Sequence, residues 1–370
     1  MNVAVRIAAA VSAMLVGCAQ PKIDVSSETA PRFHVDAAWP KPLPNNWILG
    51  QVSGVAVSAD DHIWVLQRPR SLSEDEAGAT LKPPPSKCCV PASPVLEFDS
   101  TGRLLRSWGG PGAGYDWPGN EHGMHVDARG FVWITGNGDN DGQILKFTSD
   151  GKFILQIGKV GPQTTNADTT RLGRPAGVEV DNEANEVYVA DGYQNRRVIV
   201  FDATTGAYKR HWGAYGKSPS DADKPESRRT APPTAAQLQQ FSTPVHCVRI
   251  ARDGLVYVCD RLNNRVQVFR KDGLYIKEFM VEPQTAGNGS AWDIVISRDA
   301  GQKWLFLADG RNNQVLTLNR ETGAVVDTLG RPGRYAGEFH WVHDLAIDSR
   351  GNLYAGEVDS GKRIQKFLRD

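Results

Sequence analysis

A motif of alternating apolar and polar residues returns along this chain with a period of roughly 40 residues, and that recurrence limits the fold more than any other feature. Its cleanest copy runs Pro244-Val-His-Cys-Val-Arg-Ile-Ala-Arg-Asp-Gly-Leu-Val-Tyr-Val-Cys-Asp260, then Asn264-Arg-Val-Gln-Val-Phe269, then Gly273-Leu-Tyr-Ile-Lys-Glu-Phe279. Each run is short, rich in β-branched and aromatic residues, and bounded by Asp-Gly or Asn turns, which is strand and hairpin chemistry. Four such strands make a propeller blade. Six copies fall over about 50–109, 121–158, 174–213, 242–280, 289–330 and 340–368. The last copy lacks a clear fourth strand. Phe33-His-Val-Asp-Ala-Ala-Trp39 is suited to supply it, closing the ring and removing its free sheet edges. The chain therefore reads as all-β, a six-bladed β-propeller occupying residues 33–370 as one domain.

Closure gives one position of the repeat a special meaning. Three histidines share it in every second copy: His122-Gly-Met-His-Val-Asp127, His246-Cys-Val-Arg-Ile-Ala251 and His343-Asp-Leu-Ala-Ile-Asp348. The copies between them begin at Ser53, Ala176 and Trp292. In a closed ring of six, alternate blades lie about 120° apart, so the three imidazoles face one axis. Three convergent imidazoles with an open fourth position are what a catalytic zinc requires. With only eight histidines in 370 residues, chance is a poor explanation. His125 is offset from the ligand position and reads as structural; His34, His62, His211 and His340 fall outside the column.

Arg68 and Arg261 each lie 15 residues beyond their column positions, Ser53 and His246, which puts both on one face of the ring and across the axis from each other. Two guanidiniums beside a metal suit a carboxylate gripped by paired hydrogen bonds. Tyr193 follows Asp191-Gly192 at the comparable strand end of the third copy. Ser71–Pro94, Gly161–Arg171 and Lys217–Leu238 interrupt the pattern; loops this long tend to cover a site. Lys+Arg and Asp+Glu number 42 each, so no global field draws the chain to nucleic acid.

The N-terminus reads as an address. Arg6 precedes the apolar run Ile7–Val16, too short to span a bilayer, which ends in Leu15-Val-Gly-Cys18. That ending resembles the bacterial lipobox. It implies a signal peptide over 1–17, lipidation of Cys18, a polar tether over 18–32, and a periplasm-facing envelope lipoprotein touching the membrane only through its lipid. In an oxidising compartment Cys247 and Cys259, on adjacent strands, are placed either for a disulfide or as two buried thiols. Cys88-Cys89 is a candidate vicinal disulfide.

Gly177-Val-Glu-Val-Asp181 followed by Val187-Tyr-Val-Ala-Asp191 resembles the NHL repeat. Over residues 50–370 the chain further resembles the peptidyl-α-hydroxyglycine α-amidating lyases, six-bladed propellers that contain zinc. Gly50-Gln-Val-Ser-Gly-Val-Ala-Val57 looks like their first blade, and Arg68 falls where they carry a catalytic arginine. His122-Gly-Met, Pro244-Val-His246 and His343-Asp344 resemble their ligand segments, the second with one extra residue after the proline. Asp191-Gly-Tyr-Gln-Asn-Arg196 resembles the segment of the catalytic tyrosine, here Tyr193, although Gln194 replaces a cysteine; Asp260-Arg-Leu-Asn-Asn-Arg265 resembles that of a second arginine, here Arg261. The resemblance implies zinc on His122, His246 and His343. It also implies a structural calcium on Asp344 with the backbone carbonyls of Val55 and Met124. The implied reaction cleaves the C–N bond of an N-acyl-α-hydroxyglycine to an amide and glyoxylate, with a small-molecule or peptide substrate bearing a carboxylate. Two other readings share the fold: a metal-dependent hydrolase or lactonase of a small carboxylated substrate, and a non-enzymatic propeller binding protein or envelope components.

Overall fold

The computed structural model describes Met1 and residues 29–162, 165–222 and 226–370. The signal-peptide and lipidation segment, Cys18 included, lies outside the described residues. Six four-stranded antiparallel sheets stand around one axis. Blade 1 comprises Gln51–Val57, Ile63–Arg68, Val95–Phe98 and Leu104–Trp108; blade 2 comprises Glu121–Val126, Val132–Gly136, Gln143–Phe147 and Phe153–Gly158. Blade 3 comprises Gly177–Asp181, Glu186–Asp191, Arg197–Asp202 and Tyr208–Trp212; blade 4 comprises Val245–Ile250, Val256–Asp260, Arg265–Phe269 and Tyr275–Met280. Blade 5 comprises Asp293–Ile296, Trp304–Asp309, Gln314–Asn319 and Val325–Leu329. Blade 6 has three strands of its own, Val342–Ile347, Leu353–Glu357 and Arg363–Arg369. Its outermost strand is Phe33–Val35 from the other end of the chain, paired antiparallel as Phe33 with Arg369 and Val35 with Phe367. The all-β, six-bladed reading and its closure are thus as the sequence indicated.

The core lies between blades rather than within them. Trp64, Leu66 and Val95 of blade 1 pack on Met124, Ile134 and Phe147 of blade 2, and the same interleaving recurs around the ring. Each sheet buries both faces, so its middle strands are apolar throughout, as in Val187-Tyr-Val-Ala190. The Cys247–Cys259 disulfide joins directly opposed residues of blade 4, and Cys88 is bonded to Cys89 in the loop after blade 1's second strand.

A fully buried acid ends the second strand of four blades: Asp191, Asp260, Asp309 and Glu357. In blades 3, 4 and 6 an arginine directly opposite answers it, Arg197 and Arg265 at 2.8 Å and Arg363 at 2.7 Å. Blade 5 has only an amide there, Gln314 at 3.1 Å. Burial, incompletely offset by the Asn312 and Gln314 amides, pushes the Asp309 carboxyl up to about 6. An acid with a raised folded pKa binds its proton more tightly in the folded state. Its contribution to stability is therefore present at low pH and lost as pH rises from about 4 to about 6. Asp309→Asn should remove that dependence. Urea melts of both proteins should show wild type losing up to about 3 kcal/mol relative to the variant between pH 4 and 7; parallel curves would refute the assignment.

Candidate metal centre and active site

The inner strands do not carry the three histidines in regular β geometry. Pairing register shifts between Glu121 and Met124, between Val245 and Cys247, and between Val342 and Asp344, so each histidine sits in a bulge. A bulge turns the side chain of its extra residue away from the regular pleat, here toward the axis. Ser53 lies in the equivalent irregularity of blade 1.

The result is a compact buried cluster. The ligand nitrogens of His122, His246 and His343 lie within 4.8 Å of one another, and the ring centroids are 4.7–4.9 Å apart. Each Nδ1–H donates to a backbone carbonyl of a neighbouring blade: His122 to Ala176 at 2.8 Å, His246 to Trp292 at 2.6 Å and His343 to Ser53 at 2.9 Å. These three acceptors are the column residues of the blades without histidine, so the alternation supplies a ligand and then its support. The carbonyl fixes the tautomer and turns every Nε2 lone pair toward the axis, the usual second contact of a metal-bound imidazole. Gly123 permits it, since a Cβ there would collide with the Ala176 carbonyl oxygen. Burial first, and then mutual crowding of the rings and the nearby Arg68 and Arg261 guanidiniums, hold all three well below the usual histidine range. Neutral, convergent and oriented, the three rings fit a divalent transition metal.

The sequence-predicted tyrosine and arginines meet on one side of this cluster. The Tyr193 hydroxyl donates to His122 Nε2 at 2.8 Å and lies 3.3 Å from His246 Nε2. Arg261 Nη1 donates to the same oxygen at 3.2 Å, and its guanidinium stacks 4.6 Å from the Trp292 ring centroid. Arg261 Nε is buried with no hydrogen-bond partner, a costly state that a bound anion would relieve. Arg68 donates to the Glu121 carbonyl at 2.6 Å and to Gln51 at 2.7 Å, which fixes its guanidinium in the wall. The Lys217–Leu238 loop borders this mouth, where Arg229 holds the Leu262 carbonyl and Asn263 beside Arg261, and Arg70, just before the Ser71–Pro94 loop, spans to Glu121. His125 pairs with Glu179 at 3.2 Å, away from the cluster, as its offset implied.

The calcium expectation meets a different arrangement. The Asp344 carboxylate lies 3.4 Å from the guanidinium of Arg249, which also contacts Asp293 at 2.8 Å and Glu179 at 3.8 Å and donates to the Ile294 carbonyl at 3.0 Å. Burial opposes the charge of Arg249, but Asp293, Asp344 and Glu179 more than offset it and raise its pKa. Burial and the neighbouring Asp293 carboxylate hold the Asp344 carboxyl well above the usual carboxylate range, and Arg249 offsets only part of this, so a side-chain cation already stands beside the carboxylate expected to hold calcium. Neither Arg249 nor the three supporting carbonyls entered the sequence reading. The carbonyls carry no side-chain signal, and the one cue to Arg249 is its place three residues beyond His246.

No family model matches the chain. A mouse peptidyl-glycine alpha-amidating monooxygenase is 26% identical over 370 residues, 92% of this chain and 32% of that protein. The chain thus spans about a third of that relative's length. The mouse NHL repeat-containing protein 3 is 27% identical over 359 residues, 91% of this chain and 84% of its own. A probable peptidyl-alpha-hydroxyglycine alpha-amidating lyase of Caenorhabditis elegans is 24% identical over 325 residues, 86% of this chain and 82% of its own. The chain is a six-bladed propeller, and these likenesses are to NHL-repeat and amidating-enzyme proteins. The solved structure of a streptogramin B lyase superposes with a TM-score of 0.53, covering 92% of this chain and 98% of that one at 13% identity, a likeness of fold.

The cluster makes a direct expectation. Elemental analysis of the purified protein should find close to one transition-metal ion per chain, and His246→Ala should lose most of it. Unchanged metal content in the variant would refute a site built on these three rings.

Proposed function

We propose that this propeller is a zinc-dependent C–N lyase acting on an N-acyl-α-hydroxyglycine-type substrate, HO–CH(COO⁻)–NH–CO–R, to give an amide and glyoxylate. One observation carries the reading: the Tyr193 hydroxyl stands against the imidazole cluster and Arg261 together, beside an arginine N–H that lacks a partner. The names of the mouse and nematode relatives support the reaction class, and three neutral nitrogen ligands with an open position support zinc.

Zinc at the three imidazoles would supply Lewis acidity to the substrate hydroxyl. Tyr193, 2.8 Å from His122 Nε2, is where a base must be to take that hydroxyl's proton. The electron pair left on oxygen closes to the aldehyde as the C–N bond breaks, and the proton goes to the departing amide nitrogen. Arg261 can donate to the tyrosine oxygen and to a carboxylate together. With Arg68 in the opposite wall it would orient that carboxylate and hold the hydroxyl toward the imidazoles.

The domain should release glyoxylate from an N-acyl-α-hydroxyglycine. Tyr193→Phe removes only the phenolic oxygen and should cut turnover by about 10²–10⁴-fold, with zinc content and melting temperature retained. If glyoxylate stays at the uncatalysed rate while zinc is present and simple esters or lactones are cleaved, the hydrolase reading replaces this one. If no metal and no turnover are found, the chain is a binding propeller.

We also propose that the chain is an exported lipoprotein. The Leu15-Val-Gly-Cys18 ending supports this, as does the buried Cys247–Cys259 disulfide, which belongs to an oxidising compartment. Cys18→Ser should abolish labelling by a radioactive fatty acid and leave the precursor uncleaved or the protein in the soluble periplasmic fraction. Equal label in the variant would make the motif a coincidence.

A further inference from the structure

Beneath the imidazole cluster, on the side away from Tyr193, the inner strands carry a second ring of equivalent positions. These lie three residues beyond the column: Ala56, His125, Glu179, Arg249, Val295 and Ala346. All six line one cavity of about 130 Å³ that opens at the opposite end of the channel. Alanine on blades 1 and 6 leaves room on the far side of the axis for one long side chain, and Arg249 of blade 4 occupies the layer. Between this ring and the histidines lie Asp293 of blade 5 and Asp344 of blade 6, which together with Arg249 line the space directly under the imidazoles.

We propose that Arg249 is this chain's resident structural cation, held in part by the Asp344 carboxylate that the family resemblance would give to calcium and tying blades 3, 4, 5 and 6 through its guanidinium. The contacts have the form that role requires. One planar group reaches a carboxylate on each of three other blades, Glu179, Asp293 and Asp344, and its Nε donates to the backbone of a fourth strand residue, Ile294. Arginine is the cation suited to this, because it cannot be deprotonated in a protein and presents its donors in a rigid fork. A divalent ion at the same carboxylates would face a buried positive charge a few ångströms away, with little water to screen it. A cation carried on a side chain binds once, during folding, and its contribution does not depend on the calcium concentration outside. The inference concerns the scaffold and stands whether or not the lyase reaction proposed above is catalysed.

The test reads calcium dependence in the full, metal-loaded protein. Wild type purified in the presence of calcium should contain no stoichiometric calcium, and its melting temperature should be the same in calcium-free buffer and in millimolar calcium. Arg249→Met keeps the aliphatic bulk but strands the carboxylates. It should melt roughly 5–15 °C lower in calcium-free buffer, and millimolar calcium should restore part of the loss by taking the vacated place. About one calcium per wild-type chain, or a wild-type melting temperature that rises with calcium, would overturn the proposal. So would an Arg249→Met protein as stable as wild type without calcium. If the variant does not fold, the calcium content and melting behaviour of wild type decide the question alone.

Discussion

The site depends on the ring being closed. Along the chain His122, His246 and His343 are 124 and 97 residues apart, and no pair of neighbouring blades brings two of them together. They meet because six blades of similar width share one axis, and the last of them is completed by Phe33–Val35 from the opposite terminus. Pulling that strand away would leave the outer edge of blade 6 unpaired and loosen its packing on blade 1, which bears the Ser53 carbonyl that orients His343. Chain closure and imidazole geometry are therefore one problem, joined through backbone contacts at the axis.

Convergence alone does not make a ligand set. A regular strand alternates its side chains between the two faces of the sheet, and in a blade those faces pack on neighbouring blades. The bulge at each histidine releases its ring from that alternation and aims it inward. The neighbouring carbonyl then decides which nitrogen faces the centre. This arrangement needs two adjacent inner strands to approach within hydrogen-bond reach of a side chain, which explains the glycine after His122. It also explains why the column alternates: a blade that offers a carbonyl to its neighbour's imidazole cannot offer an imidazole from the same place.

Much of this was legible in the sequence because period and turn chemistry are local signals. The six blades, the strand that completes the ring, the histidine column and the mouth-facing positions of Arg68, Tyr193 and Arg261 all follow from counting along a repeat. What the count could not deliver depends on three-dimensional register. A bulge leaves no residue signature in Val-His-Cys or Val-His-Asp, and a carbonyl acceptor is invisible whatever its side chain. Arg249 shows the limit best. In the strand Val-His-Cys-Val-Arg-Ile it reads as an ordinary polar position, and only the packed ring reveals three carboxylates from three blades around it. Asp344 was given to calcium by likeness of one dipeptide, and the guanidinium that stands 3.4 Å from it lies almost a hundred residues away.

The charges along the channel are layered, and the layering bears on what the site can bind. Three neutral imidazoles leave the charge of a divalent ion undiminished. Above them Arg68 and Arg261 add two positive charges, so the upper mouth is a strong electropositive well in a setting with little water. An unpaired cation cluster of that kind is expensive to bury. The layer beneath holds Glu179, Asp293 and Asp344 around the single guanidinium of Arg249, with burial and Asp293 raising the Asp344 carboxyl well above the usual carboxylate range. The unpartnered Nε–H of Arg261 leaves the upper mouth able to accept an anion. The carboxylated substrate proposed above would complete it from the side of Tyr193, where Arg68 and Arg261 stand.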